Sequence, residues 1–199
     1  MIHLSQVTGL LLSGGQGRRV GNQDKGCLPF NGTTLAESQL DWLKQQTANC
    51  LISANRNLSF YSQLGYSVVI DPQNNFPGPL TGILKALEQC ETDWLFVVPV
   101  DVPYLPSNLL ESLLSELNRL LLQSKNHYLG FYLETDERSH FLNLLLSKKA
   151  LPILLDFVAK DKKRVKDFLV EINAQPLNLG IEESAFRNMN ELADFNLKS

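Results

Sequence analysis

The sequence predicts an α/β fold with a mostly parallel central sheet. Short apolar segments alternate with longer, helically patterned ones along the 199 residues. The first four apolar segments each empty into polar or turn-forming residues. With 44% hydrophobic and 20% charged residues, the chain has the composition of an ordinary globule long enough to bury a core. It carries no internal repeat, low-complexity tract or linker, so residues 1–199 are expected to form a single domain.

Strands are predicted at Val7–Leu12, Leu51–Ala54, Ser67–Ile70, Leu95–Val98, Tyr128–Tyr132 and Phe141–Leu146, each a short apolar or β-branched run. Helices are predicted at Leu35–Gln46, Leu80–Gln89, Asn108–Gln123, Ala150–Ala159 and Val165–Ile172. The third helix has the clearest stripe. Leu110, Leu113, Leu114, Leu117, Leu120 and Leu121 share one face at i, i+3, i+4 spacing, with Ser107 placed to cap it. Such a stripe predicts core and no chemistry.

The first strand runs out into Ser13-Gly14-Gly15-Gln16-Gly17-Arg18-Arg19, and the segment closes on Asp24-Lys25-Gly26. Glycines that allow positive φ and close backbone approach come first, and fixed positive charge follows, an order suited to a polyphosphate. Two common phosphate loops do not fit. After Gly15-x-Gly17 the next glycine is Gly21, which breaks G-x-G-x-x-G, and Lys25 stands between Asp24 and Gly26 rather than before Ser or Thr.

The other strand ends carry Ser53-Ala54-Asn55-Arg56-Asn57, Asp71-Pro72 and Pro99-Val100-Asp101. Ligands of open α/β sheets bind beyond the carboxyl ends of the strands, so glycine loop and carboxylates are expected on one rim. Asp101, between two prolines, is placed either to hold Mg²⁺ through a carboxylate or to form a turn. Asp71, before a proline, has the same two readings. Lys25 and Arg19 are placed to neutralise phosphate, or else form a solvated surface pair. Phe76–Gly82 either walls a base or ribose pocket or makes a rigid strand-to-helix connection. Lys160-Asp161-Lys162-Lys163-Arg164 is either a solvated helix end or a contact for a second substrate's phosphate.

A formal charge of −3 argues against broad nucleic-acid or membrane-surface binding. Cys27, Cys50 and Cys90 lack C-x-x-C spacing and are expected as free thiols in a reducing compartment, buried for structure. His3, His127 and His140 show no metal-binding spacing. No basic segment followed by a long apolar one opens the chain, and the expected location is the cytoplasm.

Together these residues resemble the molybdenum cofactor guanylyltransferase family, within the wider sugar-nucleotide and pterin nucleotidyltransferases. The resemblance runs through Leu12-Ser13-Gly14-Gly15, Arg19, Gly21, Asp24, Lys25-Gly26, Asn31-Gly32, Leu35, Ser53-Ala54-Asn55-Arg56 and Asp71. It continues through Pro77-Gly78-Pro79-Leu80-x-Gly82, Asp101-x-Pro103-Tyr104-x-Pro106, Arg164-Val165 and Phe186-x-Asn188-x-Asn190. It implies a three-layer α/β/α Rossmann-like nucleotidyltransferase fold. The implied activity is transfer of GMP from GTP to the phosphate of molybdenum-bound molybdopterin, with GTP held by the N-terminal half and the acceptor by the C-terminal half. Leu12, Ser13, Gly14, Lys25, Ser53, Asp71 and Asp101 would contact GTP, Gly15 and Arg19 would sit at the phosphates, and Asp101 would hold Mg²⁺. Arg19, Lys25 and Asp101 are the implied catalytic set. Transient contacts with proteins that deliver and receive the cofactor are implied as well. A cytidylyltransferase acting on the same pterin or another phosphorylated acceptor, and an inactive nucleotide-binding relative, are the competing readings.

The chain departs from the family pattern at several places. Ser13 replaces the usual alanine and Val20 the usual methionine. Ser53 stands where relatives often have asparagine, and Val100 and Val102 flank Asp101 where Cys and Thr are frequent. His140-Phe141 replaces a common His-Pro, and Glu191-Leu192 follows Asn190 in place of Thr-Pro.

Overall fold

In the computed structural model, residues 1–15, 21–70, 78–123 and 128–195 are described. Seven strands form the main sheet: β1 (Val7–Leu12), β4 (Asn49–Ser53), β5 (Ser67–Val69), β6 (Trp94–Pro99), β7 (Gly130–Glu134), β8 (Ser139–Ser147) and β9 (Gln175–Asn178). A two-stranded ribbon of β2 (Pro29–Phe30) and β3 (Thr33–Thr34) stands apart. The helices are α1 (Leu35–Lys44), α2 (Leu58–Gln63), α3 (Pro79–Gln89), α4 (Leu109–Gln123), α5 (Leu151–Ala159), α6 (Val165–Glu171) and α7 (Leu192–Phe195).

The sheet order is β5-β4-β1-β6-β8-β7-β9. Strand β1 pairs in parallel with both β4 and β6, and β4 with β5, as expected of a doubly wound unit. The chain steps outward from β1 to β4 and β5, then crosses back to β6 on the other side of β1. The switch point therefore falls between β1 and β6, where a crevice opens beyond the strand ends.

Every residue of β1 is buried. Val7 and Leu11 join the core under α1 and α4, while Leu10 and Leu12 join the one under α3, α5 and α6. A strand covered on both faces reads as a continuous apolar run, which is why it was visible in the sequence. The expected three layers result. Among the described residues no helix is long and apolar enough to cross a membrane.

Three features were not read from the sequence, and one expectation needs correction. Strand β8 runs antiparallel to both neighbours, because only residues 135–138 separate it from β7 and such a loop makes a hairpin. Strand β9 was not expected. Its Gln175-Pro176-Leu177-Asn178 lacks a strand signature, and Pro176 is tolerated because β9 lies at the sheet edge. Helix α2 is too short to show a period. Finally, the start of α4 is capped from across the fold. Helix α1 stops at Lys44, and the Gln46 side chain, 4% exposed, turns inward so that its Oε1 accepts from the Leu110 amide at 2.9 Å. Ser107 was the expected cap. The leucine stripe itself is in the core, with Leu110, Leu113, Leu114 and Leu117 buried and Leu120 and Leu121 packed at its margin.

The β7–β8 hairpin is tied to the C-terminal segment through Glu183. This carboxylate accepts from Thr135 Oγ1 at 2.6 Å, Arg138 Nε at 2.6 Å and, across 2.9 Å, pairs with His140 Nε2. The His140 ring stacks on Phe186, centroids 3.9 Å apart. Desolvation pushes the Glu183 carboxyl up, but hydrogen bonds from Thr135, His140 and Arg138 outweigh it and hold the pKa below 4.5.

Two outcomes follow for stability. Gln46→Leu, which removes the partner of a buried amide, should cost about 1–3 kcal/mol in urea unfolding. Because the Glu183 pKa is depressed in the folded state, its contribution is complete above the unfolded value and is lost as pH falls below about 4.5. Glu183→Gln should accordingly flatten the acid limb of stability against pH, measured by thermal unfolding between pH 3 and 7.

Candidate active site

A cleft of about 390 Å³ opens at the switch point, and Leu12, Ser13, Gly14, Gly15, Lys25, Ser53 and Asp101 all line it. Seven of the nine site residues expected from sequence are thus brought together. The other two, Arg19 and Asp71, lie outside the described residues. Asp24, Asn55, Gly78, Pro79, Thr81 and Leu142 are among the other residues of its walls.

The β1 end is held to both neighbours beyond the strands. Ser13 N–H donates to the Ser53 carbonyl at 2.8 Å, and Val100 N–H donates to the Leu12 carbonyl at 3.0 Å. The ladder therefore consumes the Ser13 amide. Gly14 and Gly15 are the first residues past it, and their N–H groups make no hydrogen bond to any described residue. Neither glycine has positive φ, and a Cβ on either would meet nothing within 4 Å. Of the two expected uses of glycine, positive φ does not occur at these two positions, whereas an open approach to the backbone does. Positive φ occurs further along the same segment at Gly21 (φ 67°), and at Gly78 (φ 107°), directly before Pro79 starts α3.

Lys25 sits in a short 3₁₀ turn whose preceding residue, Asp24, accepts from Gly26 N–H at 3.1 Å. That turn aims the Lys25 side chain across the cleft. Its Nζ donates to Asp101 Oδ2 at 2.6 Å and to Asn190 Oδ1 at 2.7 Å, leaving a third N–H free of described partners. The two charged side chains are about one-fifth exposed, 19% and 21%, so the pair is shielded yet reachable from the cleft. Asp101 lies just past β6, and its carbonyl accepts from Met189 N–H at 2.8 Å. The C-terminal segment is thereby pinned over the rim. Val100 and Val102, 7% and 2% exposed, face the core, so their replacement of polar residues fills packing space.

Asp101 Oδ1 accepts no hydrogen bond among the described residues. No group of three or more His, Cys, Asp or Glu side chains gathers there or elsewhere among them. One carboxylate with a free oxygen suits a hard divalent ion that takes its other ligands from phosphate and water. It does not suit zinc, which needs a fuller protein set.

Two features of the site were not read from the sequence. Asn190 was noted only as part of a terminal motif, and its hydrogen bond to Lys25 spans 165 positions that no local pattern encodes. Tyr61 is wholly buried behind the loop, its hydroxyl 2.5 Å from Ser13 Oγ and donating to Asp24 Oδ1 at 2.8 Å. Cys27, beside them, is no nucleophile. Burial and the nearby Asp24 charge push its thiol up to about 11. Cys50 and Cys90 are buried free thiols, as expected.

The chain is similar to known proteins over most of its length. Residues 9–175 match the MobA-like NTP transferase domain. The molybdenum cofactor guanylyltransferase of Yersinia pseudotuberculosis serotype O:1b (strain IP 31758) is 35% identical over 191 residues, covering 96% of this chain and 94% of that protein. In fold, the chain is similar to molybdopterin-guanine dinucleotide biosynthesis protein A from Archaeoglobus fulgidus, with TM-score 0.76 and 19% identity over 94% of each chain. It is also similar to 4-diphosphocytidyl-2C-methyl-D-erythritol synthase from Anaerococcus prevotii, with TM-score 0.68 and 9% identity over 96% of this chain and 95% of that one. With a cleft at the switch point and a family match over residues 9–175, this chain belongs to the MobA-like NTP transferase family.

Proposed function

We propose that this protein transfers GMP from GTP to the phosphate of molybdenum-bound molybdopterin, releasing pyrophosphate and forming the guanine dinucleotide cofactor. The observation that carries the proposal is the cleft itself, lined both by Gly14 and Gly15, whose amides bond to no described residue, and by the Lys25–Asp101 pair. The guanylyltransferase identity over nearly the whole chain supports it.

The chemistry asks for positioning and charge control rather than proton abstraction. An oxygen of the acceptor phosphate attacks the α-phosphorus, and the bond from that phosphorus to the bridging oxygen of the β-phosphate breaks. The acceptor oxygen is already ionised, so no general base is required. Two anions must approach, and negative charge grows on the departing pyrophosphate. Gly14 and Gly15 would hold the phosphates with backbone N–H groups. Lys25 would turn its free N–H to the same oxygens, and Arg19 would add fixed positive charge. Leu12, Ser13, Ser53 and Asp71 would complete the nucleotide's surroundings, Ser13 as wall or acceptor because its amide is already engaged. Asp101 would hold Mg²⁺, which when bound offsets triphosphate charge.

The N-terminal half would thus bind GTP, with the acceptor entering from the side of Leu142 and the C-terminal segment. Proteins that deliver and receive the cofactor would dock transiently, and the reaction would belong to the cytoplasm. Nucleic acid and membrane play no part in this reading.

Purified protein supplied with Mg²⁺, GTP and molybdenum-loaded molybdopterin should release pyrophosphate and form the guanine dinucleotide. CTP in place of GTP should be turned over at least ten-fold more slowly. Faster use of CTP would make this a cytidylyltransferase, and nucleotide binding without product in the complete assay would make it an inactive relative. In the same assay Asp101→Ala should lower kcat/KM by roughly 10²-fold or more, with the fold retained by circular dichroism. Lys25→Ala should cost on the order of 10²–10³ in kcat, the range seen when one preorganised donor to developing charge is removed.

A further inference from the structure

Ser13, which stands where the family usually has alanine, is one end of a buried chain of hydrogen bonds. Its hydroxyl lies 2.5 Å from Tyr61 Oη, and Tyr61 Oη lies 2.8 Å from Asp24 Oδ1. The direction is fixed by counting hydrogens. Burial, and then the Asp24 charge, push the Tyr61 phenol well above its ordinary value, so it keeps its proton. That single proton goes to the carboxylate, and Ser13 must therefore donate to Tyr61. Asp24 is 5% exposed and gathers further donors. Gly26 N–H reaches Oδ1 at 3.1 Å, Asn57 Nδ2 reaches Oδ2 at 3.1 Å, and the Arg56 guanidinium lies 3.7 Å from Oδ2. Arg56 also donates to the carbonyls of Asn22 and Gln23 at 3.0 and 2.6 Å.

The packing leaves no slack. A Cβ at Gly26 would fall 2.3 Å from Tyr61 Oη and 2.7 Å from Ser13 Oγ, so the turn carrying Lys25 lies directly on these two hydroxyls. We infer that Tyr61 is a positioning residue: its hydroxyl bolts the loop after β1 to the Asp24–Gly26 turn and so fixes where Lys25 reaches across the cleft. Tyr61 lies outside the cleft and acts through Ser13 on one side and Asp24 with its turn on the other. Its consequence for catalysis rests on the nucleotidyl-transfer reading above; its effect on Lys25 does not.

The test begins without nucleotide. Acetic anhydride labelling, read by mass spectrometry, measures how accessible Lys25 is relative to Lys44, an exposed lysine on α1 with a half-exposed side chain. In Tyr61→Phe the Lys25 rate should rise about three- to ten-fold against Lys44. An unchanged ratio overturns the inference. Tyr61→Phe strands the Ser13 hydroxyl, so Ser13→Ala/Tyr61→Phe is made alongside it, leaving no buried hydroxyl unpaired and keeping the fold if the single variant loses it. The double variant should show the same faster labelling. A return to the wild-type ratio would assign Tyr61 the lesser task of satisfying Ser13 and overturn the inference. With GTP and acceptor, Tyr61→Phe should lower kcat/KM about ten-fold at a temperature where it is fully folded. A wild-type protein without activity would sink the functional reading, while the labelling ratio still decides the role of Tyr61.

Discussion

The ion pair between Lys25 and Asp101 joins the two strands that flank the switch point. Asp101 arrives from β6 and Lys25 from the turn that follows β1, so their 2.6 Å contact spans the crevice. The pair is shielded but not fully buried, and the cost of desolvating both charges offsets much of their attraction. Here the pair matters for placement. With Asn190 as a third member, it sets a positive charge and a carboxylate with one oxygen free of described partners side by side in a cleft also lined by Gly14 and Gly15. The C-terminal segment is recruited to the same point twice, by its Asn190 side chain and by its Met189 amide.

Those parts of the architecture that depend on local pattern were legible. Strands β1, β4, β5 and β6 are short apolar runs, and α4 carries a six-leucine stripe, because burial on two faces or on one stripe imposes those patterns. Strand ends also told where the cleft opens, since parallel strands place their carboxyl ends along one rim. Long-range partners were not legible. Nothing near Gln46 announces that it caps Leu110, and nothing near Asn190 announces Lys25. Strand β8 was visible as an apolar run, but its direction depends on a short loop rather than on its own residues.

The departures from the family pattern acquire physical meaning once their neighbours are known. Ser13 would be an unsatisfied buried hydroxyl were it not for Tyr61, and Tyr61 would be a buried phenol without an acceptor were it not for Asp24. Ser13, Tyr61 and Asp24 therefore depend on one another for their hydrogen bonds. His140 behaves similarly, with its ring on Phe186 and its nitrogen on Glu183, so it braces the hairpin against the C-terminal segment. Ser13 and Asp24 reach the wall of the cleft, whereas Tyr61 and the His140 set lie outside it.

A polar cluster of this kind matters more to a phosphate site than its modest stabilisation suggests. Phosphoryl-group chemistry gains most from donors already fixed where charge will develop, because a donor that must reorganise gives back much of its advantage. A lysine on a four-carbon stem is a poor candidate for such fixity. Lys25 acquires it from both ends, its backbone held by the Asp24 turn and its ammonium shared between Asp101 and Asn190. Asp24 in turn is held by donors from α2 and its approach. The short helix without a readable period is thus what makes a flexible side chain behave as a preorganised one.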